Sequence, residues 1–159
     1  MKKITPQRLK NMAIYYLQRY DAGSHKLRTV LIRKIKKAQM EIPVPNEAFI
    51  WVEQVIEQMQ NLGYINDERY GENVVRRLSQ SGKSTAFIKN KLKTEGFSQG
   101  QIDSLISDTD ELAQALLFVR KKRLGQDLKK DLGKLARAGF SYDIARQALN
   151  QPESDEFFD

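Results

Sequence analysis

The chain has 159 residues, of which 40% are hydrophobic and 30% are charged, and its formal net charge is +7. It contains no cysteine, which excludes a disulfide-stabilised secreted scaffold and favours a reducing compartment. Because the residues that follow Pro6 mix polar with apolar side chains, we expect neither a signal peptide nor a membrane span, and we expect a cytoplasmic protein.

Apolar residues recur at helical spacing along the whole chain, between prolines and glycines that are typical of helix ends. No segment combines sustained alternation of apolar and polar residues with an Asn-Gly or Asp-Gly turn, so no β-hairpin is predicted. The pattern predicts nine helices, over residues 6–20, 24–40, 46–62, 66–81, 84–95, 98–108, 110–124, 127–138 and 141–150.

Capping residues mark two of these helix starts. Ser98 and Gln101 have the spacing of a capping box, in which the serine oxygen accepts from a free backbone N–H and the glutamine reaches back to the cap. Asn66 is placed to cap a helix whose first turn contains Asp67 and Glu68, and carboxylates suit the positive end of a helix. We therefore interpret these two carboxylates as helix-start residues and not as a catalytic pair.

Two helix corners share one pattern, 43 residues apart. Gly96-Phe97-Ser98 and Gly139-Phe140-Ser141 each follow a Lys-Leu pair by three residues. A period of this length, with three short helices per unit, is typical of stacked helical repeats. We predict an all-α protein of three tandem three-helix (helix-turn-helix-like) repeats that form an elongated, curved body; the alternative is an irregular helical domain with two similar corners. The predicted repeats cover residues 1–62, 63–108 and 109–150, and an acidic, disordered tail covers 151–159.

Basic charge is concentrated in the first predicted repeat. Residues 1–62 contain 11 Lys and Arg against 5 Asp and Glu, whereas residues 63–108 contain 7 against 6 and residues 109–159 contain 9 against 9. Six cations with no intervening acid lie within residues 26–37, where like charges repel one another on a helix. One explanation is a contact with phosphates or an acidic partner, and the other is a solvated face. The candidate contact residues, with two further basic groups included, are Lys26, Arg28, Arg33, Lys34, Lys36, Lys37, Arg76, Arg77, Lys83, Lys89, Lys93, Arg120, Lys121, Lys122 and Arg123.

The sequence does not favour an enzyme. Its single histidine, His25, has basic neighbours, and no cluster of His, Cys and carboxylates suggests a metal site. Gly82-Lys83-Ser84 is similar to the end of a phosphate-binding loop, but Arg77 occupies the place of the required upstream glycine and no strand is predicted before it. We expect no catalytic residue, no cofactor and no metal.

One segment carries a family resemblance. Residues 63–70, with Gly63, Tyr64, Asp67 and Tyr70 as the matching positions, resemble the Gly-Tyr-Leu-Asp-Asp-x-x-Phe signature of RecX regulatory proteins. Residues 76–84 resemble that family's basic stretch, residues 91–98 resemble its Gly-containing helix corner, and the resemblance extends over residues 8–150. Among the departures, Gly71 stands where a small Ala is usual, and Lys26 and Val30 stand at places that are Glu and Lys in the family. We expect Tyr64 and Tyr70 to pack in the core or at a corner, and Trp51 to pack on a neighbouring unit.

The resemblance implies three tandem three-helix repeats and a cytoplasmic bacterial protein that binds the RecA recombinase filament on DNA. Members of the family lie in the helical groove of that filament and restrain its ATP hydrolysis, strand exchange and co-protease activity. A non-enzymatic, monomeric regulator of DNA repair, recombination and the SOS response is therefore expected, with no membrane partner. The alternative is a non-specific DNA-binding protein that acts without RecA through the basic first repeat.

Overall fold

The structure is a computed structural model in which residues 2–150 are described. Over that range all regular structure is helical, so the predicted all-α class is confirmed. Nine helices are present in it: α1 (Pro6–Leu17), α2 (Ser24–Gln39), α3 (Ala48–Asn61), α4 (Asp67–Gln80), α5 (Thr85–Thr94), α6 (Gln99–Ile106), α7 (Glu111–Lys122), α8 (Leu128–Arg137) and α9 (Tyr142–Asn150). Each predicted helix has its counterpart, and the largest difference is that α1 ends three residues early, at Leu17.

Side chains close the helix starts in the manner expected from local sequence. The backbone N–H of Gln101 donates to the Ser98 hydroxyl at 3.3 Å, and the N–H of Ser98 donates to the Gln101 side chain at 2.8 Å, which confirms the capping box. The Asn66 side chain accepts from the N–H of Arg69 at 3.0 Å at the start of α4. Each of these bonds satisfies a backbone donor that has no partner within its helix.

The two corners that repeat in sequence also repeat in backbone geometry. Gly96 and Gly139 adopt φ angles of +87° and +97°, a left-handed conformation that glycine adopts without steric cost. The N–H of Phe97 donates to the carbonyl of Leu92, and that of Phe140 to the carbonyl of Leu135, both at 3.1 Å. These bonds are those of a Schellman helix end, so both corners reverse the chain by the same mechanism.

The helices that pack together fall within the three predicted triplets. The principal pairs are α1, α2 and α3 with one another, α5 with α6, and α9 with both α7 and α8. The three-repeat arrangement is thereby confirmed. By spatial compactness, however, the chain divides into two units at Gly71 and Glu72, inside α4. The repeat boundaries at 62/63 and 108/109 stay a prediction, and the predicted tail lies outside the described residues.

The first unit, which ends at Gly71, has a core formed by one stripe from each of α1, α2 and α3. Leu27, Leu31 and Ile35 of α2 are fully buried, and they pack with Leu9 of α1 and Met59 of α3, among others. Burying a large aliphatic side chain stabilises the fold by about 1.5–3 kcal/mol. Trp51 is half buried against this same core, so the expectation that it packs on a neighbouring unit is wrong.

The second unit begins at Glu72, and one cluster of its core is formed by α7, α8 and α9. Leu135 and Ala115 are completely buried there, and the rings of Phe118 and Phe140 lie 5.6 Å apart. A polar network accompanies this core: buried Gln114 of α7 accepts from the Thr85 hydroxyl at 3.1 Å and donates to the Ser79 hydroxyl at 3.2 Å. Because both ends of the amide are bonded, its burial carries no unsatisfied polar group.

Candidate binding surfaces and the signature segment

The signature segment, residues 63–70, begins with a tight turn that directs some of its side chains into the core and others into solvent. Gly63 has a φ of +78°, and the backbone N–H groups of Tyr64 and Ile65 both donate to the carbonyl of Met59. This geometry turns Ile65 into the core and leaves Tyr64 51% exposed. The expected packing of Tyr64 is therefore wrong, because the residue after the glycine faces outward, whereas the expected packing of Tyr70 is confirmed by its burial.

Asp67 of the signature closes the N-terminus of α2. Its carboxylate accepts from the backbone N–H of Ser24 at 2.7 Å and from the Ser24 hydroxyl at 2.6 Å. The residue before α2 is Gly23, which offers no side-chain cap, so Asp67 supplies both the acceptor and the negative charge that a helix start favours. Asp67 does lie in the first turn of α4 as expected, but its hydrogen bonds serve a different helix.

The chain approaches Asp67 and Tyr70 closely at Gly23. A Cβ atom on Gly23 would lie 2.8 Å from the Asp67 carboxylate oxygen Oδ1 and 3.0 Å from Cδ1 of Tyr70. Only glycine allows the start of α2 to sit this near the signature side chains. Two of the four matching signature residues thus serve to fix the position of α2, the most basic helix of the chain.

A stripe of cations, here called the α2 stripe, runs along the solvent face of that helix. It consists of Lys26, Arg33 and Lys37, which are all exposed and are spaced so that they share one side of the helix. The buried residues of α2 lie on the other side. Lys34 and Lys36 are also exposed, on its two flanks. Five of the six predicted contact residues in α2 are therefore available to a partner.

Arg28 differs from its five neighbours. Its guanidinium donates to both carboxylate oxygens of Glu53 in α3, at 2.6 and 3.0 Å. This hydrogen bond lowers the pKa of Glu53, against the smaller opposing effect of burial. Bidentate pairs of this kind have a fixed geometry, so Arg28 serves to join α2 to α3 rather than to meet a partner.

The second basic group is exposed on α4, on α5 and in the loop between them. Arg76, Arg77, Lys83, Lys89 and Lys93 all have exposed side chains. The Arg76 guanidinium donates to the Asn73 side chain at 2.6 Å, and the Lys83 ammonium lies 4.9 Å from the centroid of the Phe87 ring. These contacts are local, and they leave the charges facing solvent.

Ser84, next to Lys83, has a structural role. It is buried, its hydroxyl accepts from the N–H of Phe87 at 3.1 Å, and it donates to the carbonyl of Ala138 at 2.7 Å. It therefore caps α5 and bonds the end of α8. Since no strand precedes this segment in residues 2–150 either, the geometry is that of a helix cap and not of a phosphate-binding loop.

The third basic group lies at the end of α7. Arg120, Lys121 and Lys122 occupy its last turn, where cations complement the helix dipole. The Lys121 ammonium also donates to the carbonyl of Ser81 at 3.0 Å. Arg123 adopts a left-handed φ of +52°, in which the N–H of the following residue returns to the carbonyl of Val119. Lys121 and Arg123 of this group thus have structural roles.

Sequence patterns did not single out Asp131, a buried carboxylate in α8. It accepts from the N–H of Gly125 at 2.7 Å and from that of Asp127 at 3.3 Å, and so holds the loop before its own helix. The hydrogen bond from Gly125 is the largest cause of a lowered pKa for Asp131; burial opposes it, and Lys134 assists. No sequence signal distinguished this carboxylate from the other acids near helix starts.

In the described part of the chain, no group of three or more His, Cys, Asp or Glu residues is arranged to hold a metal ion. His25 is exposed beside the start of α2. None of the helices in residues 2–150 is both long and apolar enough to cross a membrane. What the geometry offers is exposed basic surface on rigidly held helices, which is suited to binding an anionic partner.

Comparison with known proteins identifies the family. No family model matches the chain. It is 34% identical to regulatory protein RecX of Myxococcus xanthus (strain DK1622), over 94% of this chain and 88% of that protein. It is 27% identical to regulatory protein RecX of Agrobacterium fabrum (strain C58 / ATCC 33970), over 88% of this chain and 80% of that protein. The crystal structure of RecX from Lactobacillus salivarius has the same fold, with a TM-score of 0.68 over 91% of this chain and 94% of that one, at 19% identity. On this evidence the chain belongs to the RecX family of regulatory proteins.

Proposed function

We propose that the chain binds the RecA recombinase filament on DNA, in its helical groove, and restrains its ATP hydrolysis, strand exchange and co-protease activity. The observation that carries this proposal is the 34% identity to a regulatory protein RecX over nearly the whole chain. The protein would act in the cytoplasm, as a monomer and without catalysis, in DNA repair and recombination. Its three repeats, with boundaries at 62/63 and 108/109, would each present a part of the binding surface.

The geometry supports a binding mode based on charge. The α2 stripe is exposed and free of acids. Its helix is held at two points, because Asp67 closes its start and Arg28 pairs with Glu53 on α3. A surface that is ordered before binding loses less entropy when the complex forms. The exposed cations of α4 and α5 provide a second surface of the same character.

The test is the steady-state rate of ATP hydrolysis by RecA on single-stranded DNA, measured while the purified protein is titrated. We expect the rate to fall as the protein approaches the concentration of RecA subunits, and strand exchange and co-protease cleavage to fall with it. An unchanged rate at a several-fold excess over RecA subunits, with intact filaments, would overturn the proposal.

A second candidate function is non-specific DNA binding without RecA, which the acid-free α2 stripe favours. Each phosphate neutralised by the protein contributes about −0.7 to the slope of log affinity against log salt on single strands. A strong, steeply salt-dependent affinity for bare DNA, with no effect on RecA added at the same ratio, would select this function. Weak affinity for bare DNA together with inhibition of RecA would reject it.

A further inference from the structure

The C-terminal end of α1 exposes aromatic rings beside an arginine. Tyr15 is 61% exposed and Tyr20 is 57% exposed. The Arg19 guanidinium carbon lies 3.6 Å from the centroid of the Tyr15 ring, so the two planar groups are in contact. The Tyr20 ring packs beside Tyr16, with centroids 4.9 Å apart. None of these residues belongs to the basic groups described above.

The residues that lead up to these rings in the chain are basic or neutral. The first acid in the chain is Asp21, and the twenty residues before it contain five cations: Lys2, Lys3, Arg8, Lys10 and Arg19. Gln7, Asn11 and Tyr15 lie on one side of α1 at intervals of four residues, and Arg19 follows at the same interval beyond the end of the helix. Gln7 donates to Asn11 at 2.9 Å within this row. The surface thus combines aromatic rings, amides and cations, and Asp21, next to Tyr20, is the nearest carboxylate in the sequence.

Single-stranded nucleic acid has the chemistry that this combination recognises. Its unpaired bases stack on aromatic rings and on guanidinium planes, and its phosphates bind Lys and Arg. A duplex offers phosphates, but its bases are already stacked on one another. A lipid surface is a poor match, because the apolar face of α1, with Leu9 and Ala13, is buried in the core of the first unit and is not available for insertion.

We propose that this surface, defined as Tyr15, Arg19 and Tyr20 with the four other cations, binds single-stranded nucleic acid. One base stacks on the Tyr15–Arg19 pair, a second base stacks on Tyr20, and the neighbouring phosphates contact the cations. This binding does not rest on the proposed function, because it needs neither RecA nor the α2 stripe.

The experiment compares two fluorescein-labelled 20-mers by anisotropy at low salt: oligo-dT and an abasic strand with the same number of phosphates. Only the first can stack. We expect the wild-type protein to bind oligo-dT about fivefold or more tightly than the abasic strand. The Y15A/Y20A variant should lose that preference while it keeps its affinity for the abasic strand. R19K, which keeps the charge but loses the planar group, should lose part of the preference and retain the salt dependence.

Tyr142→Ala is the matched control. Tyr142 is 60% exposed and also has an arginine four residues later, but Arg146 approaches its hydroxyl oxygen rather than its ring. This variant should keep the full preference for oligo-dT. The proposal is overturned if the wild type binds both strands equally, or if Y15A/Y20A, with a wild-type circular dichroism spectrum, still prefers oligo-dT.

Discussion

The carboxylate of Asp67 binds the first residue of a helix that begins 43 residues earlier, accepting from the N–H and the hydroxyl of Ser24 at 2.7 and 2.6 Å. A family signature often indicates a contact with a partner. Here the signature aspartate holds the start of α2 in place, and α2 carries the densest positive charge of the chain. The signature and the basic surface are therefore linked through one pair of hydrogen bonds.

Replacing Asp67 with alanine should destabilise the protein. The change removes a charge-assisted acceptor from a helix start that has no other side-chain cap, at an expected loss of about 1–3 kcal/mol in the free energy of unfolding. Urea denaturation followed by circular dichroism measures it. Glu68→Ala is the control, since Glu68 is exposed at the next position and its removal should change stability by less than about 0.5 kcal/mol. Equal losses for the two variants would contradict the role given to Asp67.

Replacing Gly23 with alanine should also destabilise the protein, for a steric reason. The new Cβ would lie 2.8 Å from the Asp67 carboxylate, and the resulting overpacking is expected to cost about 1–3 kcal/mol. In the double variant G23A/D67A the clash with the carboxylate is gone. The stability loss of the double variant should therefore be smaller than the sum of the losses of G23A and D67A. Gly100→Ala is the control: a Cβ at that position would meet no atom within 4 Å, and alanine suits a helix better. Additive losses in the double variant would show that the clash is not with Asp67.

Low pH should lower the stability of the second unit, because Asp131 becomes protonated. Its pKa is lowered in the folded protein, so the unfolded chain binds the proton more readily, and the stabilisation by the ionised carboxylate is present above the ordinary Asp pKa of about 3.9. That stabilisation is lost as the pH falls through the lower, folded-state pKa. Denaturation curves of the wild type and Asp131→Asn should therefore differ most near pH 6 and converge towards pH 2. Asp108→Asn, at an exposed carboxyl, controls for the loss of one negative charge. A stability difference between the wild type and Asp131→Asn that stays constant over the whole pH range would refute this role of Asp131.

Substitutions should show that Arg28 and the α2 stripe have different roles. The triple variant K26E/R33E/K37E removes the exposed stripe and should weaken inhibition of RecA about tenfold or more, while the helical content stays unchanged. Arg28→Ala should leave inhibition unchanged and lower stability by less than about 1 kcal/mol, because Glu53 is largely exposed and the pair is screened by solvent. The rate of ATP hydrolysis and urea denaturation measure the two effects. If Arg28→Ala impaired inhibition as strongly as the triple variant, the distinction would fail.

Arg76 and Arg77 provide an independent check of the second basic surface. R76E/R77E should weaken filament inhibition with unchanged helical content, since both side chains are exposed on α4 and neither is in the core. The matched control is K129E/K130E on α8, which reverses two adjacent exposed cations outside the candidate surfaces. Wild-type inhibition by a folded R76E/R77E protein would remove these residues from the binding surface.

The helices could be predicted from sequence because each one buries a stripe of its own. Leu27, Leu31 and Ile35 recur at the helical period, and the core of the first unit is built from such stripes. Capping is equally local, as Ser98 and Gln101 show. For Tyr64 the period alone was insufficient, because the turn at Gly63, and not the helix, decides which side chain faces the core.

The long-range polar contacts could not be predicted in the same way. Asp67 meets Ser24 and Ser84 meets Ala138 across 43 and 54 residues, and each of these pairs depends on how the helices pack. Asp67 was correctly placed at a helix start, but the helix that it caps is fixed only by the tertiary structure. The same limit applies to the basic residues: sequence shows their density, whereas the ion pair of Arg28 with Glu53 shows which of them is already occupied.

The compact unit that ends at Gly71 has a practical consequence for dissecting the molecule. A fragment cut at the repeat boundary inferred from sequence, after residue 62, would include α2 but lack the carboxylate that closes it. Helix starts left open in this way fray, and the exposed cations of α2 would then repel one another with less restraint. A truncation intended to fold autonomously must therefore retain the first turn of α4, which lies beyond the predicted repeat boundary.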